Sequence, residues 1–196
     1  MHKSKSSDFR CFITSVLVPD RVGLLCDVTK AVFALEGNIG SIRQNVVDGH
    51  FNLVFNSEHP ASVSPETLRS LLSGSLEAEA FVTVLDCPAG RKFSAPAGSR
   101  FVIMTRGPDK PGTIFAISSF MVEHNINIQE WMVEKEEVGK VVYIAQVIVP
   151  AAADFRLIQN SFRDEMAKLG LTALLCHENI FRATNEIVPI KSLIGQ

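Results

Sequence analysis

Closely spaced cysteines and long apolar runs are both missing from this sequence. The four cysteines lie far apart along the chain, so the CxxC pairs of zinc and dithiol redox sites are absent. We therefore expect reduced, mostly buried thiols in a cytoplasmic protein. The longest apolar stretch, residues 141–153, is interrupted by Gln146 and Pro150. It is shorter than the ~20 residues of a transmembrane helix, and we expect no contact with a membrane.

An excess of charge of either sign is also missing. The chain of 196 residues has 19 basic and 21 acidic residues and a net charge of −2. Without a positive field, direct binding to nucleic acid would need a local basic patch. We expect no direct binding to nucleic acid. The polar N-terminal residues precede no apolar segment, which predicts that there is no secretory signal peptide.

Familiar catalytic motifs are missing as well. The sequence contains no GxSxG, HExxH or GxxxxGK[ST] pattern, which removes the common signatures of serine hydrolases, zinc proteases and P-loop NTPases. We therefore expect no catalytic residue, no metal and no cofactor. A small enzyme is the lowest-ranked alternative, and a strongly perturbed acid beside His50 or His124 would favour it.

What the sequence does contain is an internal repeat. A shift of 89 residues superimposes the two halves, and it aligns Arg21 with Lys110 as a conservative match. A helical stripe at Leu25, Val28, Val32 and Leu35 recurs with the same spacing in the second half. The identical pairs are Phe12 and Phe101, Pro19 and Pro108, Asp20 and Asp109, Gly23 and Gly112, Asn38 and Asn127, and Ile39 and Ile128.

Each half predicts the order strand, helix, strand, strand, helix, strand. Ser64 and Asp154 are typical N-caps of the second helix in each half, and Gly37 and Gly170 are expected to end helices. The predicted strands are 12–18, 39–47, 51–55, 81–85, 101–105, 126–134, 141–149 and 171–176, and the first helices are 24–36 and 112–124.

This order predicts an α+β protein of two ferredoxin-like βαββαβ domains. Each domain would have an antiparallel four-stranded sheet with two helices on one face. We place the first domain at residues 10–87 and the second at 100–182. The Pro- and Gly-rich segment 88–99 is expected to be a linker, and residues 183–196 a C-terminal tail.

The repeated turns between the first strand and first helix have two interpretations. Asp20 and Asp109 are suited to N-capping, with Gly23 and Gly112 permitting the turn. Alternatively, the open N–H groups of the helix and the missing glycine Cβ would admit the carboxylate of a small ligand, and the nearby aspartate its ammonium. Asn38, which is repeated at the same step in the second half, either ends a helix or holds a zwitterion through its carboxamide.

These two turns and the two Asn-Ile steps resemble the ACT domain. The resemblance covers residues 10–87 and 99–182 and implies the βαββαβ fold, with amino acids or other small effectors bound at interfaces between paired domains. Val22 stands where the family pattern has the proline that Pro111 retains. The ligand-binding residues that the resemblance implies, with their immediate neighbours, are Asp20, Arg21, Gly23, Asn38, Ile39, Asp109, Lys110, Gly112, Asn127 and Ile128.

Two ACT domains with nothing else attached resemble the glycine cleavage system transcriptional repressor family. That resemblance implies a regulator that acts through a protein partner and has no DNA-binding domain of its own. We therefore expect a non-catalytic regulatory protein, a homodimer, that binds an amino acid at an ACT–ACT interface. The alternative is a ligand-free assembly module that regulates an enzyme or transcription factor by pairing with it.

Overall fold

The computed structural model describes residues 9–76, 79–87, 97–136 and 139–181. The chain forms two compact units, Met1–Phe93 and Ser94–Gln196. Most of the predicted linker, and the whole predicted tail, lie outside the described residues.

The first unit contains two helices and a four-stranded sheet. All strand pairs are antiparallel, in the order β2-β3-β1-β4. Helix α2 begins where Ser64 caps it, with Ser64 Oγ accepting a 3.0 Å hydrogen bond from the Thr67 N–H. The elements are β1 (Phe9–Pro19), α1 (Leu24–Ala34), β2 (Asn38–Val47), β3 (His50–Pro60), α2 (Pro65–Ser75) and β4 (Phe81–Cys87).

The second unit repeats this arrangement. Its sheet is antiparallel in the order β6-β7-β5-β8, and β5 begins at Gly98, inside the predicted linker. Asp154 caps α4, and Gly170 follows that helix with a φ of +77°. The elements are β5 (Gly98–Pro108), α3 (Thr113–Glu123), β6 (Asn127–Lys135), β7 (Lys140–Pro150), α4 (Phe155–Lys168) and β8 (Thr172–His177).

Each unit has its own hydrophobic core between the helices and one face of the sheet. Phe51, Leu53 and Phe55 alternate along β3 and pack in one cluster with buried residues of both helices, among them Val28 and Leu68. The equivalent cluster of the second unit joins its sheet to α3 and α4. The prediction of two ferredoxin-like α+β domains is confirmed. No helix in the described ranges is long and apolar enough to span a membrane.

The ends of the repeated first helix differ in detail from the prediction. Leu24 is buried, whereas Leu25, predicted for the inner stripe, is exposed. At the C-terminus the residue with positive φ is Glu36 (+50°), not Gly37. The N–H of Glu36 donates to the Phe33 carbonyl and that of Gly37 to the Val32 carbonyl, which is a Schellman motif with Gly37 one position beyond the left-handed residue.

One edge strand of each sheet, β2 in the first unit and β6 in the second, has an irregularity near its start. The register of β2 against β3 shifts between Ile39 and Ile42, and that of β6 against β7 between Ile128 and Glu130. In the first unit, the Asn56 carboxamide oxygen accepts hydrogen bonds from the Ser41 N–H and hydroxyl at this point. The edge strand is therefore not a continuous hydrogen-bonding template.

Candidate functional site

The N-termini of α1 and α3 carry no side-chain cap. Their N-cap residues are Gly23 (φ +95°) and Gly112 (φ +87°), whereas the side chains of Ser64 and Asp154 cap the other two helices. The interpretation of Asp20 and Asp109 as N-caps is therefore wrong. No side chain accepts from the first N–H groups of α1 and α3, and in α3 the Thr113 N–H donates to the Lys110 carbonyl at 3.3 Å. The other N–H groups of the first helical turns can attract an anion.

The aspartates of the two turns are held by their backbone and leave their carboxylates exposed. The Asp20 N–H donates to the Gly49 carbonyl at 2.8 Å, and the Asp109 N–H to the Gly139 carbonyl at 2.9 Å. Both aspartates are exposed. A Cβ added at Gly112 would meet no atom within 4 Å. A small ligand can therefore approach this turn.

The basic residue of the turn is used differently in the two units. Arg21 forms an ion pair with Asp27, with 2.8 Å between Nη2 and Oδ2 and both side chains 35% exposed. The position equivalent to Asp27 is Ala116. The carbonyl of Lys110 accepts from the N–H and hydroxyl of Thr113, while its side chain is exposed. The positive charge of Lys110 is thus less compensated by a neighbouring carboxylate than that of Arg21.

The repeated asparagines lie at the first residue of the edge strands. Asn38 pairs with Glu58 across the sheet and Asn127 with Ile148, and both asparagines are exposed. Asn127 also borders an open groove of about 400 Å³, whose lining combines Asn125 with apolar residues including Val122. Such a mixed polar and apolar lining is suited to a ligand with one polar and one aliphatic end.

The following isoleucines of the predicted site have a different environment. Ile39 and Ile128 are half-buried and pack against the cores of their units. They anchor the start of each edge strand to the core.

The two sets of predicted residues do not meet within a unit. Asn38 lies opposite Glu58, which lies opposite Cys11 near the start of β1, whereas Asp20 follows the end of β1. Nine residues of extended strand at ~3.3 Å each place these ends about 30 Å apart. The second unit separates its corresponding residues in the same way. Neither unit on its own therefore forms a site that uses both an aspartate turn and an asparagine.

A buried polar pair in the first unit escaped the sequence analysis. His59 Nε2 lies 2.9 Å from Ser57 Oγ, and the ring stacks on Phe12 with 5.3 Å between centroids. Burial lowers the pKa of His59, opposed in part by the Leu35 backbone, so the ring is neutral at pH 7. The signal was available, because the inward alternation of Phe51, Leu53 and Phe55 continues through residues 57 and 59.

The two histidines considered for an enzyme contact backbone carbonyls. His50 Nδ1 is 2.9 Å from the Asp48 carbonyl oxygen, and His124 Nδ1 is 3.0 Å from that of Phe120. The His124 ring also stacks on Phe120, with 4.0 Å between centroids. Neither of these hydrogen bonds is to an acid, and His50 also lines an open groove that includes Glu79.

Comparison with known proteins places this geometry in a wider context. No family model matches the sequence. A UPF0237 protein of Methanopyrus kandleri is 28% identical over 96 residues, which cover 45% of this chain and 99% of that protein. A protein of Galdieria sulphuraria has a similar structure, with a TM-score of 0.72, 18% identity and coverage of 87% of this chain and 99% of that one.

A second solved structure shares both units. It is described as a putative glycine cleavage system transcriptional repressor, with a TM-score of 0.60, 14% identity and coverage of 85% of this chain and 96% of that chain. The chain has the tandem ACT-domain fold. In this ACT fold, the uncapped glycine turns are the β1–α1 and β5–α3 connections, and the asparagines open β2 and β6.

Proposed function

We propose that this protein is a non-catalytic regulator that binds an amino acid where two ACT domains pair, and that it signals through a protein partner. The observation that carries the proposal is the repetition of the same open turn in both units. Gly23 and Gly112 start uncapped helices, and each follows an exposed aspartate. A sequence that only needed a turn would have no reason to leave both helices uncapped, since a cap contributes about 1 kcal/mol.

The chemistry of these groups matches a zwitterion. The open N–H groups and the positive end of the helix dipole attract the ligand carboxylate, while the carboxylate of Asp20 or Asp109 attracts the ammonium. An asparagine carboxamide donates to one of these groups and accepts from the other. The groove beside Asn127 offers apolar surface to the ligand side chain.

The separation within each unit sets the geometry of pairing. Because an aspartate turn and an asparagine lie at opposite ends of a sheet, two ACT domains that associate with opposite strand directions would bring the turn of one to the asparagine of the other. A ligand held there binds one domain arrangement better than others, and such differential affinity of about 1–3 kcal/mol is enough to change how a partner is bound. The similarity in fold to a putative transcriptional repressor supports a regulatory role.

The test is a thermal-shift screen of the full chain against the common amino acids. A ligand present at about 100 times its dissociation constant adds about 2.7 kcal/mol to the free energy of unfolding. We expect one or a few amino acids to raise the melting temperature. Asn127→Ala removes the carboxamide beside the groove and is expected to abolish the shift, as is Asp109→Asn. Asn160→Ala on the exposed face of α4 is the matched control and should retain it.

A different result would favour the assembly module. Phe33 is 80% exposed, Phe115 77% and Val122 79%, and all three are on the repeated first helices. Phe33 and Val122 are equivalent in the repeat, whereas Phe115 aligns with Cys26. Exposed apolar side chains clustered on a helix are typical of association surfaces. If no amino acid changes the melting temperature, the proposal of an effector site is wrong, and Phe33→Ser and Phe115→Ser should then weaken self-association in sedimentation experiments.

A further inference from the structure

We infer that Cys11 and Cys87 form a reversible disulfide that ties the first strand of the first unit to its last. This site is independent of the proposed effector site. The two residues are direct partners in the antiparallel pairing of β1 and β4. They lie on the sheet face away from the helices, because Phe12, the neighbour of Cys11, points into the core.

The geometry of the strands suits a disulfide. Directly opposed residues in an antiparallel pair have Cα atoms about 4.5 or 5.5 Å apart, depending on the hydrogen-bonding position. Both spacings fall within the ~4.4–6.8 Å that disulfides span. None of the four cysteines is fully buried, so the expectation of mostly buried thiols is wrong. Cys11 and Cys87 are half-buried free thiols, which a small oxidant can reach while the sheet keeps them together.

A second contact fixes the strand ends on the opposite face of the sheet. Arg10 and Asp86, the chain neighbours of the two cysteines, form a bidentate pair in which Arg10 Nη2 is 2.9 Å from Oδ1 and 2.7 Å from Oδ2. Burial raises the pKa of Cys11 to about 11, and the contact with the Cys87 thiol and the charge of Glu58 act in the same direction.

The other cysteines lack such a partner. Cys176, which is equivalent to Cys87 in the repeat, lies opposite Val102. Cys26 is exposed on α1. These two residues are internal controls, because they report the general reactivity of thiols in this chain without an opposed partner.

The reaction is thiol–disulfide exchange with a small disulfide such as oxidised glutathione. One cysteine thiolate attacks a sulfur of the oxidant, and one glutathione thiol leaves. The second cysteine then attacks the mixed disulfide, and the other glutathione leaves as a thiol. The protein loses two protons and two electrons, and one oxidised glutathione becomes two reduced molecules. A dithiol reductant reverses the change.

Peptide mapping under non-reducing conditions tests the inference. The folded full chain is incubated with oxidised glutathione at mildly alkaline pH, its remaining thiols are alkylated, and its peptides are identified by mass. We expect a linked peptide pair containing Cys11 and Cys87, with a loss of two hydrogens that dithiothreitol restores. Cys26→Ser and Cys176→Ser should leave this pair in place, and the oxidised chain should melt at a higher temperature than the reduced one.

The controls separate a specific bond from general oxidation. Cys87→Ser should leave Cys11 as a glutathione adduct or a free thiol, and Cys11→Ala should do the same for Cys87. The inference is overturned if both cysteines of the folded parent chain are recovered alkylated, if both carry glutathione, or if either is linked to Cys26 or Cys176. Circular dichroism of each variant confirms that the comparison is between folded chains.

Discussion

Replacing Gly37 by alanine should destabilise the first unit, although this glycine has no positive φ that would demand it. An added Cβ would lie 2.3 Å from His59 Cε1, 2.6 Å from His59 Nδ1 and 2.8 Å from Val32 Cγ1. Neither neighbour can move easily. Val32 is 1% exposed and His59 is 0% exposed, with its ring held against Phe12 and bonded to Ser57.

The expected size follows from two opposing effects. Overpacking a tight core by a methyl group costs about 1–3 kcal/mol, whereas a Gly→Ala change at an ordinary backbone conformation gains about 0.4–1 kcal/mol by restricting the unfolded chain. The clash dominates, and we expect a net loss of about 1–2 kcal/mol. Gly74 in α2 is the matched control, because a Cβ there would meet nothing within 4 Å. Gly74→Ala should be stabilising.

The assay is urea denaturation followed by circular dichroism, with the free energy of unfolding taken from linear extrapolation. The contact with His59 is isolated by a double-mutant cycle. In a His59→Ala background the space is vacated, and Gly37→Ala should cost little or become stabilising. The coupling energy between the two positions should therefore be about 1 kcal/mol or more.

Two results would refute this reasoning. If Gly37→Ala stabilises the parent chain as Gly74→Ala does, the close approach of His59 is not a constraint in solution. If Gly37→Ala costs the same with and without the His59 ring, the penalty arises from Val32 or the backbone.

Three further predictions can be checked by the same denaturation assay. Because burial lowers the pKa of His59 below the ordinary value of 6.5, the unfolded chain takes up a proton first as the pH falls. Stability should therefore decline below pH 6.5, by at most ~1.4 kcal/mol per pH unit, and His59→Leu should flatten that decline. Ser64→Ala removes the cap of α2 and should lower the free energy of unfolding by about 1 kcal/mol. Ser64→Asp should keep most of the stability that the cap provides. Gly112→Ala should cost about 1–2 kcal/mol because φ is +87°, and Gly112→Asn should cost less, since asparagine tolerates this conformation.

The sequence predicts those features of the fold that depend on neighbouring residues. The caps at Ser64 and Asp154 and the left-handed Gly170 are local signals, and the structure confirms each of them. Gly37 is different. It resembles a helix-ending glycine, but its function is to leave room for His59, which comes from the far end of β3. A contact between residues so distant in the chain has no local signature.

In the candidate site, too, the sequence predicts the residues but not their arrangement in space. Its residues are visible as a repeated pattern, since Asp20 and Asn38 recur at fixed positions in both halves. Their separation is not visible, because it depends on which end of the sheet each strand terminates at. The N-cap residues of the first helices are Gly23 and Gly112, which have no capping side chain, whereas capping propensity alone favours the aspartates three residues earlier.

The irregularities near the start of β2 and β6 affect whether further strands can be added to these sheet edges. A long exposed edge strand invites further strands and, in the limit, fibrils. Here the ladder is interrupted within a few residues of Asn38, where Asn56 takes up the Ser41 N–H. A bulge bends its strand and increases the local twist, so the regular part of β2 that faces an incoming strand is confined to 42–47. The bulge thus shortens the part of the edge that can pair with another strand and makes edge-to-edge aggregation less favourable.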